Sequence, residues 1–329
     1  MTDVALEARV SQTTVSLVLN DARGARLSAD TRQRVLAAAS RLNYRLVRRG
    51  PDLDSAAEAT TIGFVVNEMS TDPWMALALD GARERAWASG LTISVAVTRG
   101  DAEMEQAVMD KILSQPLLGL IYGRIHTLRI DPLPFLFLKP TVLLNCYTAD
   151  RSLPSVVPAE VAGGRTGTER LIHAGHSRIA FINGEPGMDA SRDRLKGYRQ
   201  ALASADLPFD AELVRDGNWE PSAGYQHTRD LMALPDPPTA IFCANDLMAV
   251  GCYDALRKMG LAVPADVAVM GYDDRETARY MHPPLTTVLL PHFEMGTTAV
   301  DLLIDHAARP ASRPPQIKEE GPLVERSSV

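Results

Sequence analysis

The chain has 329 residues, 46% of them hydrophobic and 5% aromatic, with a formal net charge of −7, length enough for roughly two domains with real cores. Its three cysteines, Cys146, Cys243 and Cys252, form no C-x-x-C pair, which excludes a disulfide framework and a thiolate metal site. No apolar run approaches the roughly 18 residues of a membrane span, and "MTDVALEARV" carries charge where a signal peptide needs an apolar stretch, so a soluble, cytoplasmic protein is expected.

The charge is unevenly placed. Residues 1–49 hold nine arginines and four acids, net +5, which leaves −12 for the remainder. A basic head on an acidic body points to a head that meets polyanion.

That head reads as three short helices. In "DVALEA", Val4, Ala5 and Ala8 face inward; Ser11 is placed to cap a second helix, "VSQTTVSLVLN", whose Val15, Val18 and Leu19 share one face. Gln12, Thr13, Ser16 and Leu17 fall on the other face. Asn20 and "NDARGAR" break this helix, and Ser28 caps a third, with Asp30 in its first turn and Val35, Leu36, Ala39 and Leu42 at helical spacing. Two helices joined by a tight turn and braced by a third make a helix-turn-helix unit. Amide and hydroxyl side chains reach base edges without clashing, as Gln12, Thr13 and Ser16 would here.

"DVALEARVSQTTVSLVLN…LSADTRQRVLAAASRLNYR" resembles the DNA-binding head of the lac-repressor (LacI/GalR) family of bacterial transcription regulators. The family pattern is close to D-V-A-x-x-A-G-V-S-x-x-T-V-S-R-V-L-N. Arg9 replaces its turn glycine, and Leu17 replaces its base-reading arginine. The resemblance implies DNA contacts from Ser11, Gln12, Thr13, Thr14, Ser16, Leu17, Asn20 and Tyr44, with Gln12 and Thr13 as the main base readers. A thymine methyl group is the natural partner for Leu17. The family's hinge helix wedges a leucine into the minor groove. Leu53 stands in that register, nine residues after Tyr44, but Gly50-Pro51 and the acids Asp52 and Asp54 interrupt the segment. A plain linker in which Leu53 has no DNA role is the competing reading.

From Thr61 onward short Val/Ile-rich runs alternate with helices. "TIGFVVN", "LTISVAVT", "LGLIYG" and "PTVLLNC" are candidate strands of a first lobe; "SRIAFING", "ELVRDG", "TAIFCAN" and "VAVMGYDD" are those of a second. Near-continuous apolar strands separated by helices indicate parallel sheets covered on both faces. The fold expected is thus a small all-α helix-turn-helix head (1–46), a linker or degenerate hinge (47–60) and an α/β body (61–329). The body comprises two doubly wound parallel-sheet lobes, about 61–158 with 291–318, and about 159–290 with 319–329.

Ligands in such folds sit beyond the carboxyl ends of the strands, here between the lobes. Asn67, Asn145, Asn245, Asp246, Asp273 and Asp274 stand at strand ends, where amides and carboxylates suit a hydroxyl-rich ligand; Trp74, Trp219 and Phe293 offer aromatic faces. The plainer role for such Asn and Asp residues is turn or N-cap service, and Asp246, which starts a helix, is the stronger case for it. "GHSRIAFI", "SRDRLKGY", "PTAIFCANDLMAVG" and "VAVMGYDD…PPLTTV" extend the resemblance to the family's effector domain, itself similar to periplasmic sugar-binding proteins. It implies an effector pocket lined by Asn67, Trp74, Asn145, Arg194, Trp219, Asn245, Asp273 and Phe293, with Arg194 forking to sugar hydroxyls or a carboxylate.

No G-x-S-x-G elbow, Walker loop or G-x-G-x-x-G after a strand is present. "AGGRTG" lies within a helical stretch, and His173 and His176 flank a helix-breaking glycine without further ligands. Nothing calls for a metal, a cofactor or an enzymatic reaction. The expectation is a repressor that binds a palindromic operator in double-stranded DNA as a homodimer and responds to a small molecule, a sugar first. A sugar sensor without specific DNA binding and a regulator with a purine effector are the alternatives. Relatives that tetramerise add a heptad tail, whereas this chain ends at "LVERSSV", which favours the dimer.

Overall fold

The computed structural model describes residues 2–8, 10, 14, 15, 18, 29–41 and 60–329. The chain divides into a head, residues 1–55, and a body, residues 56–329.

In the head, α1 (Thr2–Ala8) and α2 (Ala29–Arg41) pack with the helical residues Val15 and Val18. Val4, Ala5, Ala8, Val15, Val18, Val35 and Ala39 form its core, as their spacing predicts, together with Ala38. Leu36 departs from expectation: it is 50% exposed, and Ala38 takes the inward position. Arg34 joins the helices by donating from Nη1 to the Ala8 carbonyl, 3.2 Å away, at the carbonyl-rich end of α1. Ser11, Gln12, Thr13, Ser16, Leu17, Asn20, Tyr44 and Leu53 lie outside the described residues. Thr14 is a half-buried helical residue.

Lobe one is built on β1 (Thr61–Val66), β2 (Thr92–Val97), β3 (Leu117–Ile130), β4 (Thr141–Thr148) and β5 (Ser155–Pro158), with α3 (Trp74–Ala88) and α4 (Ala102–Leu113) between them. Lobe two follows with α5 (Glu160–His173), β6 (Ile179–Asn183), α6 (Asp189–Ser204), β7 (Val214–Asp216), α7 (Pro221–Met232), β8 (Ala240–Cys243), α8 (Asp246–Lys258) and β9 (Ala268–Met270). The chain ends through α9 (Glu276–Tyr280), β10 (Thr287–Val288), α10 (His292–Ala308), β11 (Gln316–Glu319) and β12 (Leu323–Val324).

The lobe-one sheet runs β2-β1-β3-β4-β5-β11 and the lobe-two sheet β7-β6-β8-β9; every pairing in both is parallel. β10 and β12 form a small antiparallel pair beside lobe two. The central parallel strands β1, β4, β6 and β8 are buried on both faces, which is why they read as nearly unbroken apolar runs. Phe64 and Val66 face Met75, Ala78 and Met295, while Val65 faces the other way, into the core of Met109, Ile112 and Tyr122. Phe181, Tyr198, Phe242 and Met248 anchor the core of lobe two.

Three helix pairs cross at reciprocal glycines. A Cβ on Gly81 of α3 would overlap the Phe293 carbonyl on α10, and one on Gly296 would overlap that of Ala78. Gly164 with Gly197 does the same for α5 and α6, as Gly224 with Gly251 does for α7 and α8. Each crossing therefore depends on missing side chains on both partners.

The chain passes between lobes three times: from β5 into α5 at 158–160, into α10 at 290–292, and from β11 to β12 at 319–323. Among the described residues, no helix is long and apolar enough to cross a membrane. The three cysteines are buried, in keeping with a core role.

Candidate functional site

Between the lobes lies a cavity of about 240 Å³. Trp74, Asn145, Arg194, Trp219, Asn245 and Asp273 line it, together with Asp72, Glu160, Arg275 and His292, which the sequence reading did not assign to the site. A larger hollow of about 940 Å³ lies on the α7–α8 side of lobe two. None of its lining residues carries a buried polar atom without a partner, whereas His292 in the interlobe cavity carries two.

Two expected residues stand elsewhere. Phe293 is 38% exposed and outside the cavity lining. The ring in its place is that of His292, whose centroid lies 5.5 Å from that of Trp74, with the planes at 28°. Both residues begin α10, and adjacent helical positions point about 100° apart, so only one can face the lobe interface. Asn67 is also outside the lining; its Oδ1 accepts from Ile125 N at 2.9 Å and so holds β3 within its register shift between Gly123 and Leu128.

The other asparagines serve the backbone as well. Asn145 donates from Nδ2 to the carbonyls of Arg124 and Ile125, both at 3.0 Å, and its Oδ1 accepts from Thr127 Oγ1 at 2.5 Å. Asn245, rather than Asp246, is the N-cap of α8: its Oδ1 accepts from Met248 N at 2.8 Å, and its Nδ2 donates to the Trp219 carbonyl at 2.9 Å. Asp246 is fully buried and ties loops together, accepting from Thr287 Oγ1 and Arg275 N, each at 2.7 Å. The N-cap reading thus describes Asn245, one position before the residue for which it was expected.

Backbone strain gathers at the same place. Asn145, Trp219 and Asp273 adopt φ values of 56°, 65° and 111°, and such conformations cost of order 1–3 kcal/mol each in residues with a side chain. Trp219 is held by the Asn245 bond and by packing of its ring on Gly184, where a Cβ would overlap the indole.

Arg194 forms the floor. Its Nε and Nη2 donate to Glu160 Oε2 and Oε1 at 2.7 and 2.9 Å, its Nη1 donates to the Ala244 carbonyl, and the Tyr272 ring lies 3.7 Å from its guanidinium carbon. Burial opposes its charge, but Glu160 and its neighbours hold the guanidinium above its ordinary range. The fork expected to meet a ligand is thus filled by Glu160.

Asp273 and His292 keep unused capacity. Asp273 is only loosely paired, with Arg194 Nη1 and Arg275 Nε each 3.5 Å away. Burial pushes its carboxyl up to about 7 against the pull of these two cations. His292 is 2% exposed, and neither ring nitrogen makes a well-formed hydrogen bond to the described residues. Burial, reinforced by Arg194, pushes its imidazole down to about 3. It is therefore neutral at pH 7, with one donor and one acceptor.

Residues 1–45 match the family model of bacterial regulatory proteins, lacI family, and residues 168–329 match a periplasmic binding protein-like domain. The chain is 33% identical over 331 residues to the ribose operon repressor of Escherichia coli K12, covering 100% of this chain and 99% of that one. It is 31% identical over 306 residues to the transcriptional repressor PurR of Photobacterium profundum, covering 92% and 90%. A solved complex of the transcriptional regulator CelR with cellobiose matches with a TM-score of 0.68 and 32% identity, over 99% of this chain and 98% of that one. The lac repressor dimer bound to operator and an anti-inducer matches with a TM-score of 0.68 and 30% identity, over 99% and 97%. A helix-turn-helix head, two parallel-sheet lobes around a polar cavity and full-length likeness to repressors together make this chain a member of the LacI family of bacterial transcription regulators.

Proposed function

We propose that the chain is a homodimeric repressor whose affinity for a palindromic operator is set by a monosaccharide held between the lobes. His292 carries this reading: a buried, neutral imidazole with an unused donor and acceptor, stacked on Trp74, suits a ligand with both hydroxyl groups and an apolar ring face. Asp273 adds an acceptor. The cavity, at about 240 Å³, has room for a sugar ring. Among the similar proteins named above are a ribose operon repressor, PurR and a CelR complex with cellobiose; with Phe293 outside the cavity, one of the three aromatic faces offered by the sequence is gone.

The assignment of Gln12, Thr13, Leu17 and the rest of the DNA-contact set rests on the sequence and on the family match over residues 1–45. A two-part experiment tests the whole reading. Fluorescence anisotropy with genomic fragments gives a specific complex whose affinity falls by roughly 0.9 log unit per log salt for each phosphate neutralised. Thermal-shift screening of monosaccharides, disaccharides and nucleobases then gives stabilisation by a monosaccharide, and that sugar changes operator affinity. Stabilisation by nucleobases alone refutes the sugar, and no specific complex at low salt refutes the regulator.

A further inference from the structure

We propose that Glu160 sets the charge class of the effector: by filling the Arg194 fork from within, it closes the cavity to ligands that carry a phosphate or carboxylate. The inference rests on the cavity being the effector site, and it adds a selection rule that this reading alone does not contain.

The paired edge of a guanidinium is the natural seat for an anionic ligand, because two parallel N–H groups match two oxygens. Here that edge is spent on Glu160, at 2.7 and 2.9 Å, and Nη1 is spent on the Ala244 carbonyl with Asp273 beside it. Both partners are buried, Arg194 at 3% and Glu160 at 4% exposure. The arrangement is built into the helices: Glu160 is the first residue of α5, and the crossing at Gly164 and Gly197 brings that helix against the α6 backbone that carries Arg194.

The other lining cation offers no alternative. Arg275 is engaged by Asp72 at 2.5 Å and by Asp273 at 3.5 Å, and its guanidinium lies 4.8 Å from the Trp74 ring centre. Asp72, Glu160, Glu220 and Asp273 face the cavity against Arg194 and Arg275, an excess of acid over base. An anion entering here meets surplus carboxylate, and to reach Arg194 it must evict Glu160 and leave that buried carboxylate unpaired. An uncharged polyol needs neither step, since His292 and Asp273 have capacity to spare.

Matched ligand pairs test the rule by calorimetry: D-ribose with D-ribose 5-phosphate, and D-glucose with D-glucose 6-phosphate and D-glucuronate. The uncharged member of any pair that binds is expected to bind the wild type at least about tenfold tighter than its charged partners. Glu160→Gln narrows that ratio at least about tenfold by tightening the charged ligand. A charged partner that binds the wild type as tightly as the uncharged sugar overturns the proposal, and so does an unchanged ratio in a folded Glu160→Gln protein. A second variant needs no effector: Glu160→Ala leaves the fork open. Acetate or inorganic phosphate then raises its melting temperature, against a chloride control, and leaves the wild type unmoved. Absence of that rescue overturns the role of Glu160. If no sugar binds the wild type while acetate rescues Glu160→Ala, the sugar reading fails and the filled fork stands.

Discussion

Arg275 of lobe two reaches Asp72 of lobe one, its Nη2 lying 2.5 Å from the Asp72 carboxylate, while its guanidinium covers Trp74 at the cavity wall. The pair is partly shielded, with 17% and 26% of the two side chains exposed, and it exists only while the lobes approach each other. Asp72→Asn keeps the shape and removes the charge. A ligand gains affinity from any contact that favours its bound arrangement, so this variant is expected to weaken effector binding by about fivefold, the loss of about 1 kcal/mol. Calorimetry against the wild type measures it, and equal affinities would sink the idea that this pair holds the lobes together.

His292→Phe keeps the stack on Trp74 and removes both ring nitrogens. Effector affinity is expected to fall at least about tenfold, the value of one or two lost hydrogen bonds at a buried site. Stability moves the other way in acid. In the folded protein the imidazole binds a proton only near pH 3, in the unfolded chain near 6.5. Wild-type stability from this residue is therefore present above about pH 6.5 and is lost as pH falls toward 3. Urea midpoints at pH 7 and pH 5 should show a smaller acid loss for His292→Phe than for the wild type. Parallel losses in both proteins would show that the ring is not held neutral.

Gly296→Ala tests the tightest part of lobe one. The added methyl group meets the Ala78 carbonyl on α3, backbone that cannot rotate away. The expected cost is about 1–3 kcal/mol of unfolding free energy, read by urea denaturation of the body. Wild-type stability in this variant would mean that α3 and α10 can separate without loss.

Leu17 is one of two positions at which the head departs from the family pattern, the other being Arg9. Leu17→Arg is expected to move one operator position toward G·C, by about 1–3 kcal/mol of discrimination, as read by binding-site selection. An unchanged preference would mean that Leu17 reads no base.

The strands of both lobes were legible because parallel strands buried on two faces leave a nearly pure apolar run, as in "TIGFVV" and "AIFC". The end of "LGLIYG" was misleading: β3 continues to Ile130 after a register shift past Gly123, and Asn67 and Asn145 are used to hold that irregularity. The strand pair β5 and β11 was missed because "SVVP" and "QIKE" are too short and mixed to show a period. Glu160 reads as an ordinary acid in the first turn of a helix; its burial depends on Arg194, 34 residues later, and no local pattern contains that pairing. The exchange of Phe293 for His292 is a one-residue matter of helical phase, which the resemblance used to place Phe293 did not resolve.

The first and second passages between the lobes end on Glu160 and His292, the opening residues of α5 and α10. Two side chains that line the cavity are thus mounted on the connections between the lobes. Under the proposed function, a ligand that contacts His292 acts directly at a connection between the lobes, with no relay of shifted side chains in between. The glycine crossings on both sides bring these helices into backbone contact with their neighbours, which in the proposed mechanism favours rigid-body movement over deformation. On that reading, a substitution at either position is expected to alter effector binding and lobe movement together.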